Sequence, residues 1–314
     1  MKVIDLHCDV LYKLSIMKEP FSFEDADVLQ ANKIKLFTGK IHVQFFAIFI
    51  SPEIPQHEKF TAALRQIELF HSKVLAPNPE IIHITDWSQL DLLNEGEIGA
   101  VLTLEGADAI GEDLGKLKAL LDAGVKLVGL TWNPANAIAH GADEPSNLGL
   151  TAFGQEVLDV LNERNIIVDV SHLNEQSFWD VLPNVKHVLA SHSNARSLCD
   201  HPRNLTDLQA KALVEKGGHI HIVYYPPFIN IDYEDLTLVD LMHHFTHFAN
   251  LVGVQHLGLG SDFDGIALFI EGLHDASDTQ KVVQFLKKHF TEDEVRGITS
   301  NNFKNFIKQV VATS

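Results

Sequence analysis

Histidine, aspartate and glutamate stand at the ends of several short apolar runs in this 314-residue chain, places where a hydrophobic segment would normally exclude them. In Asp5-Leu6-His7-Cys8-Asp9, His7 and Asp9 are two residues apart. On an extended strand both therefore point to one face and Cys8 to the other. Glu105 closes the run Thr103-Leu104-Glu105-Gly106, and its two carboxylate oxygens can bridge cations roughly 3.5–4 Å apart. His172 and His192 each end an apolar run in the dipeptide Ser-His, and imidazole ligates zinc through either ring nitrogen. The segment Gly258-Leu259-Gly260-Ser261-Asp262-Phe263-Asp264-Gly265 offers Asp262 as the inward carboxylate, with Asp264 two residues on. Gly258, Gly260 and Gly265 permit close backbone approach there. Beside a metal, Asp262 can take and return the proton of an attacking water. Asp5 and Asp169 fall one register earlier, where they can orient ligands.

Each motif alone has a plain structural reading: a polar pair at a strand end, a capping acid, a core histidine with one hydrogen bond, a turn that closes a loop. Their recurrence on strand after strand does not. A ring of buried acids and imidazoles is costly without a compensating partner, and a divalent metal is such a partner.

The elements that must position these groups alternate. Apolar, β-branched runs predict strands over Val3–Val10, Ile41–Ile50, Gly99–Gly106, Val125–Trp132, Ile166–His172, His187–Ser193, His219–Tyr225 and His256–Asp262. Amphipathic stretches between them predict helices, among them Glu58–Ala76, Gly111–Ala123, Thr151–Arg164, Asn174–Leu182, Asp207–Lys216 and Leu236–Val252. Thr151 and Asn174 are suited to cap their helices, and Pro226–Pro227 should stop the seventh strand. Near-continuous apolar runs such as Val43–Ile50 suit parallel strands buried on both faces. Eight strands with intervening helices point to an α/β fold, a (β/α)8 TIM barrel over residues 1–314 as one domain, with its chemistry at the C-terminal strand ends.

Composition sets bounds. Hydrophobic residues make up 46% and charged residues 21%, which suits a large core rather than disorder. With 24 Lys and Arg against 42 Asp and Glu, a formal charge of −18 disfavours nucleic acid and anionic membrane as partners. Two cysteines, Cys8 and Cys199, make neither a disulfide framework nor a thiolate zinc site. No signal-peptide h-region and no apolar run of spanning length is visible, so the expected location is cytoplasmic.

Taken together, His-x-Asp on the first strand, Leu-Glu-Gly on the third, Asp-Val-Ser-His on the fifth, Ser-His-Ser on the sixth and Gly-Ser-Asp-Phe-Asp-Gly on the eighth resemble the membrane (renal) dipeptidase family of zinc peptidases. The likeness continues through Ser191–Leu205 and the Asn302–Phe303 pair, nearly the whole chain. It implies two Zn2+ per chain: His7 and Asp9 on one, His172 and His192 on the other, Glu105 between them. It also implies Asp262 as acid/base and Arg203 as the group facing the substrate carboxylate. The expected activity is zinc-dependent hydrolysis of a small dipeptide by a metal-bridged hydroxide. Members of the family commonly place a substrate-binding histidine after Leu-Thr on the fourth strand. Here Trp132 and Asn133 hold that place, with His140 eight residues later, so substrate choice rests on different side chains. Two alternatives stay open, another binuclear hydrolase (a lactonase, deaminase or phosphotriesterase) and a metal-binding barrel without catalysis. Homodimer formation is left open as well.

Overall fold

The computed structural model describes residues 1–18, 21–145 and 147–312. Eight parallel strands run around the molecule: β1 (Val3–Asp5), β2 (Ile41–Phe49), β4 (Ile98–Glu105), β5 (Val125–Gly129), β6 (Ile167–Asp169), β7 (Val188–Leu189), β8 (Ile220–Ile222) and β9 (Leu257–Leu259). They pair in the order β7-β6-β5-β4-β2-β1-β9-β8. The two ends meet where Ala190, just past β7, bridges Ile220 of β8 in parallel. The expected barrel is therefore present, with helices between its strands. An additional three-residue strand, β3 (Ile81–His83), lies outside the ring and pairs with β4. Nothing in its length or pattern had set it apart from a loop.

The side chains explain the shape. Ile4, Leu6, Val43, Phe45, Val101, Leu127, Ile167 and Leu189 come from six different strands yet form one buried cluster, which only the barrel lumen allows. The C-terminal helix α11 (Asn302–Ala312) closes the bottom of that lumen by inserting Phe303, Phe306, Ile307 and Val310. Phe303 meets Phe45 edge to face with centroids 5.3 Å apart. Asn302 fixes the helix start by donating to the carbonyls of Val254 and Leu257 at 2.8 and 2.9 Å. The opposite-facing residues, such as Ile41, Phe46, Ile48, Leu102, Leu104 and Val168, join the larger shell between strands and helices.

The predicted helices are found as α3 (Gln56–Leu69), α4 (Leu114–Asp122), α5 (Ala152–Glu163), α6 (Glu175–Val181), α7 (Asp207–Glu215) and α8 (Leu238–Val252). The expected caps form: Thr151 accepts from the amide of Gly154, and Asn174 from that of Ser177. Several strands are shorter than predicted. The first ends at Asp5 rather than Val10, and Val10–Ile16 begins a helix, α1. The last ends at Leu259 rather than Asp262. The ladder stops where the backbone turns, as at Asp262 and Asp264, both at positive φ (66° and 69°).

Candidate metal centre

Past β1 the chain is pinned on both sides. Leu6 donates to the Leu259 carbonyl at 3.0 Å, Cys8 to Phe45 at 3.1 Å and Asp9 to Phe263 at 2.8 Å. Cys8 joins the outer shell, as its register implied, while His7 and Asp9 enter the site. Asp9 is not on the strand. It holds the N-cap position of α1 but makes no side-chain capping bond, which leaves its carboxylate for the site. Glu105 is the last residue of β4; His172 and His192 lie just beyond β6 and β7.

These residues converge. The Nε2 atom of His7 lies 3.3 Å from Asp9 Oδ2, 3.4 Å from Glu105 Oε2 and 3.7 Å from Asp262 Oδ1. The other Glu105 oxygen, Oε1, lies 2.8 Å from His172 Nε2 and 3.9 Å from His192 Nε2. Glu105 thus turns one oxygen toward His7 and the other toward His172 and His192. All five are buried.

Hydrogen bonding settles the tautomers. His172 Nδ1 lies 2.8 Å from the Oδ1 of Asn133, an atom that can only accept, so Nδ1 carries the proton and Nε2 a lone pair. Ser191 Oγ donates to Asp169 Oδ2 and lies 2.7 Å from His192 Nδ1, so it accepts from that nitrogen and His192 Nε2 is bare as well. Asp169 is held in turn by the amides of Ser171 and Ser191, both 3.0 Å from Oδ1. The two bare Nε2 atoms are 2.9 Å apart, with a carboxylate oxygen beside them.

The buried Nε2 of His7 and Oδ1 of Asp9 have no hydrogen-bond partner. Imidazole nitrogens and carboxylate oxygens gathered this closely fit a divalent cation, and nitrogen with carboxylate oxygen is a zinc-type donor set. His7, Glu105 and His192 present one group of ligand atoms within 4.8 Å of one another; His7, Asp9 and Asp262 present a second.

Burial and neighbouring charges move the titration of these groups in different directions. Burial, reinforced by the Arg203 charge, pushes His172 well below the usual histidine range, and burial with His7 does the same to His192, so both imidazoles are neutral. Burial, then the Glu105 charge, raises Asp9 to about 6. Burial opposes a charge on His7, yet Glu105 and Asp9 outweigh it and raise its pKa well above the ordinary value.

The remaining expected residues surround a cleft of about 280 Å³ lined by Asp9, Glu105, His172, Asp262, Trp132, Asn133 and Arg203, among others. Arg203 is 3% exposed and stacks over Phe228, 5.3 Å from its centroid. One amino group lies 3.1 Å from His172 Nε2, while Nε and Nη1 have no partner. Burial lowers its pKa to about 10, still leaving it charged at neutral pH. Gly265 makes room for the acids: a Cβ there would stand 2.2 Å from Asp9 Oδ2 and 2.5 Å from Asp262 Oδ1. Gly260 lets the end of β9 reach the β7 loop, since a Cβ would lie 1.8 Å from the Ser191 carbonyl.

Three neighbours of the centre play other parts. Asp264 accepts from the amides of Gln30 and Ala31 at 2.8 and 2.9 Å and so clamps a loop. Asp5 accepts from the Ser261 amide at 2.7 Å and hydroxyl at 2.5 Å, steadying the turn that carries Asp262. His140 is bonded to the Gly149 carbonyl at 2.8 Å and does not line the cleft. Sequence reasoning missed Tyr12, Phe49, Tyr225, Phe228 and Ile266 as lining residues. It also missed the serines of the two Ser-His pairs, although their position beside the two histidines was visible.

The whole chain, residues 1–314, matches the family model described as membrane dipeptidase, peptidase family M19. The dipeptidase aclJ of Aspergillus oryzae is 30% identical over 93% of this chain and 72% of its own length. An uncharacterized dipeptidase of Schizosaccharomyces pombe is 28% identical over 96% of this chain and 78% of its own. In fold, the chain superposes with a TM-score of 0.92, at 23% identity and 99% coverage of both, on a metallo peptidase from Rhodobacter sphaeroides solved with a phosphinate mimic of the dipeptide L-Ala-D-Ala. Among the described residues no helix is long and apolar enough to cross a membrane.

Proposed function

Because this chain belongs to the membrane dipeptidase family, we propose that it hydrolyses dipeptides with two zinc ions. His7 and Asp9 would hold one, His172 and His192 the other, and Glu105 would give an oxygen to each. The observation that carries this reading is the division of Glu105, with Oε2 facing His7 and Oε1 facing His172 and His192. Such a pair, when bound, lowers the pKa of a water from ~15.7 toward ~7 and polarises a carbonyl oxygen.

The chain's own residues do the rest. Asp262 faces the centre from the β9 turn and takes the proton of the attacking water. As the water oxygen bonds to the scissile carbon and the C–N bond breaks, Asp262 returns that proton to the leaving amine. The unpartnered Nε and Nη1 of Arg203 point to a fork for the free carboxylate of the dipeptide. Asn133 and Ser191 hold the two imidazoles so that each presents a lone pair. Trp132 lines the cleft as a substrate contact.

The test is turnover by zinc-loaded protein on a dipeptide library with both D and L C-terminal residues, beside a lactone and a phosphotriester. Cleavage of dipeptides with close to two zinc equivalents per chain by elemental analysis is expected. Turnover of the lactone or phosphotriester alone, or full activity with one metal, would overturn the reading.

A further inference from the structure

Resting on the dipeptidase reading, we infer that the cleft selects dipeptides whose N-terminal residue is bulky and apolar, received by an aromatic wall of Tyr12, Phe49 and Trp132. Two observations orient the substrate. Among the described residues lining the cleft, Arg203 is the only lysine or arginine, so the C-terminal carboxylate belongs beside it. Arg203 follows β7, and in the closed ring of eight strands β2 lies four places away, diametrically opposite. Phe49 is the last residue of β2. With the carboxylate at Arg203 and the peptide bond over the ligand cluster, the N-terminal side chain reaches the Phe49 side of the cleft.

That side is built of aromatic edges. Tyr12 meets Phe49 edge to face with centroids 5.0 Å apart, and Phe49 meets Trp132 the same way at 5.1 Å. All three are half-buried and line the cleft. A fourth ring completes such a cluster with the edge-to-face geometry that aromatic groups favour. An anionic side chain finds no partner there: among the described lining residues the one lysine or arginine, Arg203, lies on the opposite side. On the Arg203 side the guanidinium covers Phe228, which leaves that ring less free to receive a side chain.

The experiment compares kcat/KM for Phe-Ala, Ala-Ala and Ala-Phe with the zinc-loaded wild type, Trp132→Ala, Trp132→Phe and Phe49→Leu, measuring zinc content alongside. Phe-Ala should exceed Ala-Ala by roughly 10-fold or more, the worth of burying a large apolar side chain. It should also exceed Ala-Phe. Trp132→Ala and Phe49→Leu should shrink the Phe-Ala preference several-fold, while Trp132→Phe keeps most of it. Phe49→Leu guards against disturbance of His172, whose ring Trp132 approaches at 6.3 Å. Equal efficiency on Phe-Ala and Ala-Ala, or variants that lower both by one factor, would overturn the inference while leaving dipeptide hydrolysis standing. Cleavage of no dipeptide at all would overturn the underlying dipeptidase reading and this inference with it.

Discussion

Replacing Ser191 by alanine removes one oxygen and breaks a relay. In the native chain Ser191 Oγ donates to Asp169 Oδ2 and accepts from His192 Nδ1 at 2.7 Å, in a place with no solvent access. Ser191→Ala leaves the buried Asp169 Oδ2 and the buried His192 N–H without those partners. An unsatisfied buried polar group costs about 1–3 kcal/mol. The two losses share one carboxylate–imidazole unit and will not add fully, so a fall of about 2–4 kcal/mol in the stability of the metal-free protein is expected. The imidazole also loses the bond that keeps its proton on Nδ1, and Nε2 is no longer held as a lone pair. Loss of such an orienting partner typically weakens metal binding about 10–100-fold. Ser171→Ala is the control. Its hydroxyl touches Asp169 Oδ1 at 2.7 Å, the His192 amide at 3.1 Å and the Ser191 hydroxyl at 3.3 Å but not the imidazole, so it should cost stability without a comparable loss of zinc affinity. Denaturant melts give the stability term, and competition with a chelator of known affinity gives the zinc term. If Ser191→Ala and Ser171→Ala bind zinc equally well, the tautomer argument is wrong and the relay only holds the fold together.

Three further outcomes are expected. Asp262→Asn keeps the size but loses the basic oxygen, and should lower kcat by roughly 10²–10⁴ while zinc is retained; near-normal turnover would remove Asp262 from proton transfer. Arg203→Ala should cost roughly 10–150-fold in kcat/KM, from about 1.5–3 kcal/mol for a bond to a charged group. That loss should largely vanish on dipeptides with an amidated C-terminus, and an equal loss on both substrates would make Arg203 structural. Gly265→Ala would drive a Cβ to within 2.2 Å of Asp9 Oδ2 and 2.5 Å of Asp262 Oδ1, so it should lower metal content with the fold intact by circular dichroism, and unchanged zinc binding would show that the carboxylates move aside.

Much of this protein was legible in its residues. The eight barrel strands show themselves because a strand buried on both faces must be apolar almost throughout, as in Val43–Ile50. The candidate ligands His7, Asp9, Glu105, His172 and His192, and the candidate acid/base Asp262, show themselves because a polar residue ending such a run needs a reason to be there, and all six meet in one site. The role of Asp169 as an orienting group was also readable from its register. Strand β3 was not, since three residues of pairing leave no periodicity to detect.

What only the tertiary structure decided is which groups touch across the barrel. Asp9 and Gly265 are more than 250 residues apart, and nothing in either segment says that a Cβ on one would strike the other's carboxylate. Asn133 was expected beside the substrate, yet it also sets the tautomer of His172, a contact made by loops after two different strands. Asp264 stands two residues from Asp262 and shares its positive φ, but the amides of Gln30 and Ala31, more than 230 residues away in the chain, take its carboxylate to clamp their loop. Local pattern reports burial and periodicity, because those act on neighbours in the chain. The partners of a polar side chain depend on how the closed ring of strands brings distant loops together, and closure is a property of the whole chain.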